Sequence, residues 1–246
     1  MTPKHSALRL VNRMLARIDL RIDRRSAVDT DLARSRFLTS MEITTVLDIG
    51  AHRGSYAWAL RRAGYVGNIH SFEPLSGAYL ALTNAAREDP RWHCHHYAIG
   101  DHNGTAQFRV ARNEVSSSLR PMPTTHVASA PSSAESARIE VSVRRLDDVC
   151  PAIGVGGPDE RLAVKLDVQG AEDLVFAGGS NTFGAAALVE IELSLVELYR
   201  GQTLYQDQIR RLTDLGFELV WVERGFRDPG TGRLLQIDGI FRRSFR

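Results

Sequence analysis

Val46-Leu47-Asp48-Ile49-Gly50-Ala51-His52-Arg53-Gly54 is an apolar run that ends in a turn bounded by two glycines. It reads as a buried strand, a tight turn and the start of a helix. About one βαβ half-unit later a second run ends in Ser71-Phe72-Glu73-Pro74. A strand, a glycine turn and then an acid at the next strand tip form a binding pattern for an adenosine-bearing cofactor. The glycine spacing is G-x-x-x-G, not the G-x-G-x-x-G of dinucleotide enzymes. It points away from NAD and toward S-adenosylmethionine (SAM).

Strands and helices alternate from residue 43 onward. Thr44 to Ile49 reads as a strand and Ser55 to Ala63 as the helix after it, with Gly64 at the C-cap. Asn68 to Phe72, Ser76 to Arg87 and Trp92 to Ile99 continue as strand, helix and strand. Gly100 to Gly104 is a turn, and Thr105 to Val110 is half of an added hairpin. Residues 116–138 are rich in Ser, Pro, Thr and Ala and read as a long loop, either an active-site lid or a surface excursion. Ile139 to Val143 is a short strand. Leu162 to Leu166 is a buried parallel strand, followed by a helix over Ala171 to Ala177. Ala186 to Leu193 is a strand and Tyr205 to Leu215 a helix; Phe217 to Glu223 and Leu235 to Phe241 form an antiparallel pair. The pattern predicts an α/β fold, a mostly parallel sheet with helices on both faces.

A chain of 246 residues is one large domain or one domain with an appendage. Residues 1–40 read as a basic, amphipathic helical extension, and 41–246 as the catalytic domain. Leu8, Val11, Leu15, Ile18 and Ile22 recur at helical spacing among arginines. This segment either lies on an anionic membrane or packs on the domain or on a second subunit of a homodimer. A net charge of +2 gives no general attraction to nucleic acid. Two distant cysteines, Cys94 and Cys150, and the lack of an apolar leader or an 18-residue apolar run predict a cytoplasmic protein.

Asp48, Gly50, Gly54, Glu73 and Asp167 all fall at strand ends, where an open parallel sheet binds its ligand. Gly50 can take a backbone conformation closed to other residues. Gly54 lets the helix approach the ligand, with Ala51 and Tyr56 beside the same turn. Asp48 can receive the amino group of a methionine moiety. Glu73 can accept two ribose hydroxyls, and Pro74 fixes the backbone after it. Ala98 and Ile99, in the segment reaching to Asp101, lie near the adenine. Asp167, at the strand tip nearest the transferred methyl, suits a general base for a hydroxyl. Lys165 pairs with it from the same strand, and Glu172 is either functional or a helix-dipole acid. Glu190 and Glu192 share one face of the next strand. They either grip acceptor hydroxyls, hold a divalent cation with Asp167, or pair with an arginine. His52 is read as a substrate contact or as turn filler. The His93-Cys94-His95-His96 run has no zinc spacing, and no metal site is predicted.

On these residues the chain resembles the FkbM family of SAM-dependent methyltransferases. The resemblance runs from about Val46 to Phe241. It includes Asp48 to Gly54, Phe72-Glu73-Pro74, Ala98-Ile99-Gly100-Asp101, Ser116-Ser117-Ser118, Lys165 to Glu172, Glu190, Glu192 and Asp238 to Phe241. The block Lys165-Leu166-Asp167-Val168-Gln169-Gly170-Ala171-Glu172 is its most specific part. His96 departs from the asparagine often found in the family. The resemblance implies a class I SAM-dependent methyltransferase (Rossmann-like) fold with a seven-stranded sheet. It also implies O-methylation of a hydroxyl, in a family that acts on sugars of glycolipids and nodulation factors and on macrolide-type products; the narrower expectation is a fucosyl or rhamnosyl residue of a glycolipid. The competing readings are an NAD-dependent sugar oxidoreductase and a SAM-fold binding module without catalysis.

Overall fold

In the computed structural model, which describes residues 30–244, alternate residues of the first strand feed two separate cores. Strand β1 (Thr45–Ile49) sends Leu47 and Ile49 into one core and Val46 into the other. Helices therefore cover both faces, and the central strands are apolar throughout. In chain order, α1 (Thr30–Ser40) precedes β1, and α2 (Ser55–Arg62), β2 (Asn68–Phe72), α3 (Ser76–Ala86) and β3 (Trp92–His95) follow it. Next come β4 (Ala98–Gly100), β5 (Gly104–Ala111), α4 (Thr124–Ser129), β6 (Glu135–Arg145) and α5 (Leu146–Ala152). The chain continues with β7 (Leu162–Leu166), α6 (Glu172–Gly178), α7 (Ser180–Ala185) and β8 (Leu188–Ser194). It closes with α8 (Tyr205–Asp214), β9 (Phe217–Arg224) and β10 (Gln236–Arg243).

The main sheet has seven strands in the order β3-β2-β1-β7-β8-β10-β9. The first five are parallel, and β10 runs antiparallel to both β8 and β9. This is the predicted seven-stranded α/β architecture. The order reverses beside β1, so the tips of β1 and β7 form the switch point where such sheets bind ligands.

Three expectations differ from the structure. Trp92 to Ile99 is not one strand: β3 joins the main sheet, whereas β4 pairs with β6 in a separate three-stranded sheet, β4-β6-β5. Residues 116–138 are not a plain loop, because they contain α4, a 3₁₀ turn at Pro131–Ser133 and the start of β6. The boundary at residue 40 cuts through packed structure, since Leu38 of α1 is buried in the same core as Val46. The helical pattern of Leu8 to Ile22 lies outside the described residues. No described helix is long and apolar enough to cross a membrane.

Candidate active site

A polar row crosses the middle of the sheet on one face. Register places Ser71, Asp48, Lys165 and Glu190 side by side on β2, β1, β7 and β8. The Trp92 indole N–H donates to Ser71 Oγ at 3.0 Å, and that hydroxyl donates to Asp48 Oδ2 at 3.1 Å. Lys165 Nζ stands 3.4 Å from Asp48 Oδ1 and 3.3 Å from Asp167 Oδ2. Burial works against the Lys165 charge, but Asp167 and Asp48 outweigh it and raise its pKa.

Above the tips of β1 and β7 opens a cavity of about 430 Å³. That volume suits a cofactor-sized ligand. Gly50 forms its floor with φ +80, and a Cβ there would lie 1.9 Å from the Asp167 carbonyl oxygen. Only glycine lets the turn pass so close beneath the tip of β7. Gly50 and Ala51 each donate their N–H to the Phe72 carbonyl, locking the turn onto β2.

Glu73 lines the cavity and is 5% exposed. Its Oε2 accepts the His52 N–H and its Oε1 the Leu75 N–H, both at 2.8 Å. One lone pair on each oxygen stays free for a hydroxyl. Burial pushes its carboxyl up to about 7, against the pull of those two N–H groups. Pro74, Tyr56, Ala98 and Ile99 complete this end. The Glu73 carboxylate fits two ribose hydroxyls and the apolar Ala98 and Ile99 fit an adenine, so this donor set suits SAM.

Glu73 gives a pH test. A carboxyl raised from its unfolded value of about 4.3 stabilises the fold below that value and loses this contribution as pH rises through about 7. Glu73→Gln cannot ionise. Its thermal midpoint without ligand should therefore rise relative to the parent between about pH 5 and about pH 8. A difference that stays constant with pH overturns the assignment.

The other end of the cavity is acidic. Asp167 and Glu192 line it together with Gln169, Ser116, His126 and Phe226. Glu192 is pushed well above the usual carboxylate range by burial, then by the charges of Asp167, Glu172 and Asp238. His52 has φ +49, lines the cavity and lies 3.8 Å from Glu114. Burial lowers its pKa, which favours the neutral ring.

Three expected site residues do not line the cavity. Asp48 is fully buried beneath the turn, where it holds Ser71 and Lys165. Gly54 faces the core: a Cβ there would strike Leu82 and Trp92 at 2.8 Å, so its glycine serves packing rather than the ligand. Glu190 is bound by Arg34 Nε at 3.0 Å and by the Tyr56 hydroxyl at 2.8 Å. Of its readings, the arginine pair is the one present, and of the two strand glutamates Glu192 is the one that lines the cavity. Glu172 is buried and caps Gly170 N–H at 3.1 Å. His96 stacks on Tyr79 at 4.4 Å between ring centroids. Among the described residues no group of three or more His, Cys, Asp or Glu is placed to hold a metal ion.

Sequence reasoning passed over Gln169 and Tyr199. Gln169 stands out only as a member of the Lys165–Glu172 block, with no role of its own, and Tyr199 gives no signal.

Residues 48–219 match the methyltransferase FkbM domain family. The 2-O-methyltransferase NoeI of Sinorhizobium fredii (strain NBRC 101917 / NGR234) is 32% identical over 184 residues, 71% of this chain and 72% of that one. Among solved structures, magnesium protoporphyrin IX methyltransferase (ChlM) from Synechocystis PCC 6803 with bound SAM is similar with a TM-score of 0.49. That similarity covers 89% of this chain and 79% of that one at 13% identity. Aeropyrum pernix fibrillarin with natively bound SAM gives a TM-score of 0.46 at 12% identity, over 80% of this chain and 66% of that one.

Proposed function

The chain belongs to the FkbM family of methyltransferases, and from that premise we propose that its acceptor is a sugar hydroxyl on a fucosyl or rhamnosyl residue of a glycolipid. It is a SAM-dependent O-methyltransferase, which sets aside the nicotinamide oxidoreductase and the inert binding module. When bound, SAM supplies an activated methyl group on a sulfonium. The chain's own residues hold the donor, align the acceptor oxygen and take its proton.

Glu73 accepts the ribose hydroxyls. Asp167, beside the Gly50 turn, takes the acceptor proton, and Glu192 orients the acceptor by hydrogen bonding. His52 contacts the acceptor from the turn. Alignment of the reacting atoms is worth up to about 7–11 kcal/mol in favourable cases.

The observation that carries the sugar reading is the lining of the cavity. Four carboxyl groups line it (Glu73, Glu114, Asp167, Glu192), Glu73 and Glu192 held toward the neutral form by burial, with one ammonium, Lys165, and no arginine among its described lining. An acceptor bearing phosphate or carboxylate meets only Lys165 as counter-charge in that lining, and Lys165 is already paired with Asp48 and Asp167. Neutral hydroxyls, which donate to carboxylates, are favoured. The relative NoeI is named a 2-O-methyltransferase, which supports methyl transfer to a hydroxyl oxygen. We place the reaction at the cytoplasmic face of a membrane, where the basic residues that precede Thr30 meet anionic lipid.

The test is methyl transfer from labelled SAM to a panel of neutral deoxyhexosyl glycolipids, free sugars and nucleotide-activated sugars, with and without chelator. Label should enter the neutral glycolipids. Labelling confined to the phosphate-bearing sugars overturns the reading.

A further inference from the structure

Gln169 sits at the centre of the acceptor end with every polar atom of its side chain engaged. Its amide nitrogen lies 2.6 Å from Asp167 Oδ1 and 3.2 Å from Glu192 Oε2, so both amide hydrogens have a carboxylate to meet. Its amide oxygen accepts the Tyr199 hydroxyl at 2.6 Å. That hydroxyl also lies 3.1 Å from the Ser116 carbonyl, and Ser118 Oγ donates to the Gln169 carbonyl at 2.6 Å. The serine segment, a buried tyrosine and both acceptor-facing carboxylates thus meet on one residue.

The backbone of Gln169 is also unusual. Its φ is +56, in the left-handed region where glycine sits freely and a side chain is disfavoured. A glycine would make this turn with less strain, as Gly170 does beside it at φ +88. Strain of this kind gathers where a side chain is needed. What the side chain supplies is electrostatic. Glu192 faces Asp167, Glu172 and Asp238, with Lys165 as the cation that offsets them and Tyr199 close by. Two carboxylates that share one amide nitrogen would repel each other without it.

Resting on the O-methyltransferase reading, we propose that Gln169 is a positioning residue. Its amide clamps Asp167 and Glu192 in the spacing that receives the acceptor hydroxyl, and Tyr199 fixes which end of the amide faces them. A flipped amide would turn its oxygen toward two carboxylates and lose the Tyr199 bond, so the structure has one stable orientation. The docked serine segment holds Gln169 from above through Ser118.

Two variants separate this role from a merely structural one. Gln169→Gly removes the amide and relieves the backbone. Gln169→Asn keeps an amide, tolerates the left-handed conformation and falls one methylene short of the carboxylates. The first readout needs neither SAM nor acceptor: the titration of the Glu192 carboxyl by carbon-13 NMR. A hydrogen bond to the charged form lowers a carboxyl's pKa, so both variants should titrate at least about half a pH unit higher than the parent. The second readout is kinetic. Turnover should fall about tenfold and the acid limb of kcat/KM should move to higher pH, with the Kd for SAM within about twofold of the parent. An unmoved Glu192 midpoint, or parental turnover in either variant, overturns the proposal. Because the NMR readout needs no acceptor, an enzyme inactive on every sugar would count against the function alone and leave the clamp to be judged by titration.

Discussion

Asp167→Asn should lower turnover at least tenfold, within the roughly 10²–10⁴-fold span of a general base, while SAM binds nearly as before. The variant keeps the shape of the strand tip. The Asp167 N–H still donates to the Ile49 carbonyl, so the Gly50 turn stays stitched to β7. Lys165 keeps Asp48 as a partner at 3.4 Å, and Gln169 keeps an oxygen to bond. What disappears is the capacity to receive a proton at Oδ, and the loss therefore falls on kcat rather than on donor affinity. Steady-state kinetics with the best acceptor, beside calorimetric titration of SAM, measures both terms. Near-parental turnover would remove Asp167 as the base and leave Glu192 to be tested in its place.

Arg34→Ala should produce the largest loss of stability. Arg34 is 8% exposed and binds Glu190 Oε1 at 3.0 Å and Glu223 Oε2 at 2.8 Å. Glu190 sits on a central strand with the Tyr56 hydroxyl as its remaining hydrogen-bond partner. Removing one member of such a pair leaves an uncompensated buried charge, at a cost of about 3–5 kcal/mol. In a domain of this size that lowers the thermal midpoint by roughly 10 °C. A double variant, Arg34→Met with Glu190→Leu, should recover most of the loss, since apolar pairs of similar volume often replace buried ion pairs without penalty. Heat and urea denaturation of the three proteins checks this. A single variant within about 1 kcal/mol of the parent would mean that the pair is solvated and bears little on the fold. Tyr56 also lines the cavity, so the same substitution loosens one wall of the donor site.

These two residues mark how far a linear reading reaches. Asp167 is legible because its neighbours carry its context: an apolar run before it, a turn after it. The same holds for the Gly50 turn and for Glu73, each at the end of a short apolar strand. Arg34 and Glu190 are 156 residues apart, and no local pattern announces that they touch. Asp48 and Gly54 sit within the most legible motif of the chain, yet their side of the strand and turn faces the core. Pleat and turn geometry decide that, and spacing does not show it. The division of Trp92 to Ile99 was hidden for a similar reason. Both halves favour a strand, and only tertiary pairing sends β3 to one sheet and β4 to another. Gln169 lay in plain view, but its worth depends on Tyr199 and Glu192 arriving from later segments.

The three-stranded sheet pairs its strands only with one another, β4 with β6 and β6 with β5. Ser116, His126 and Ser132, carried between β5 and β6, line the cavity. Substitutions there disturb no hydrogen bond of the seven-stranded sheet, which carries Glu73 and the Gly50 turn. The segment between β5 and β6 can therefore change in sequence without breaking a rung of the seven-stranded ladder, whereas β4, which carries Ala98 and Ile99, ties the small sheet to the donor end of the same cavity.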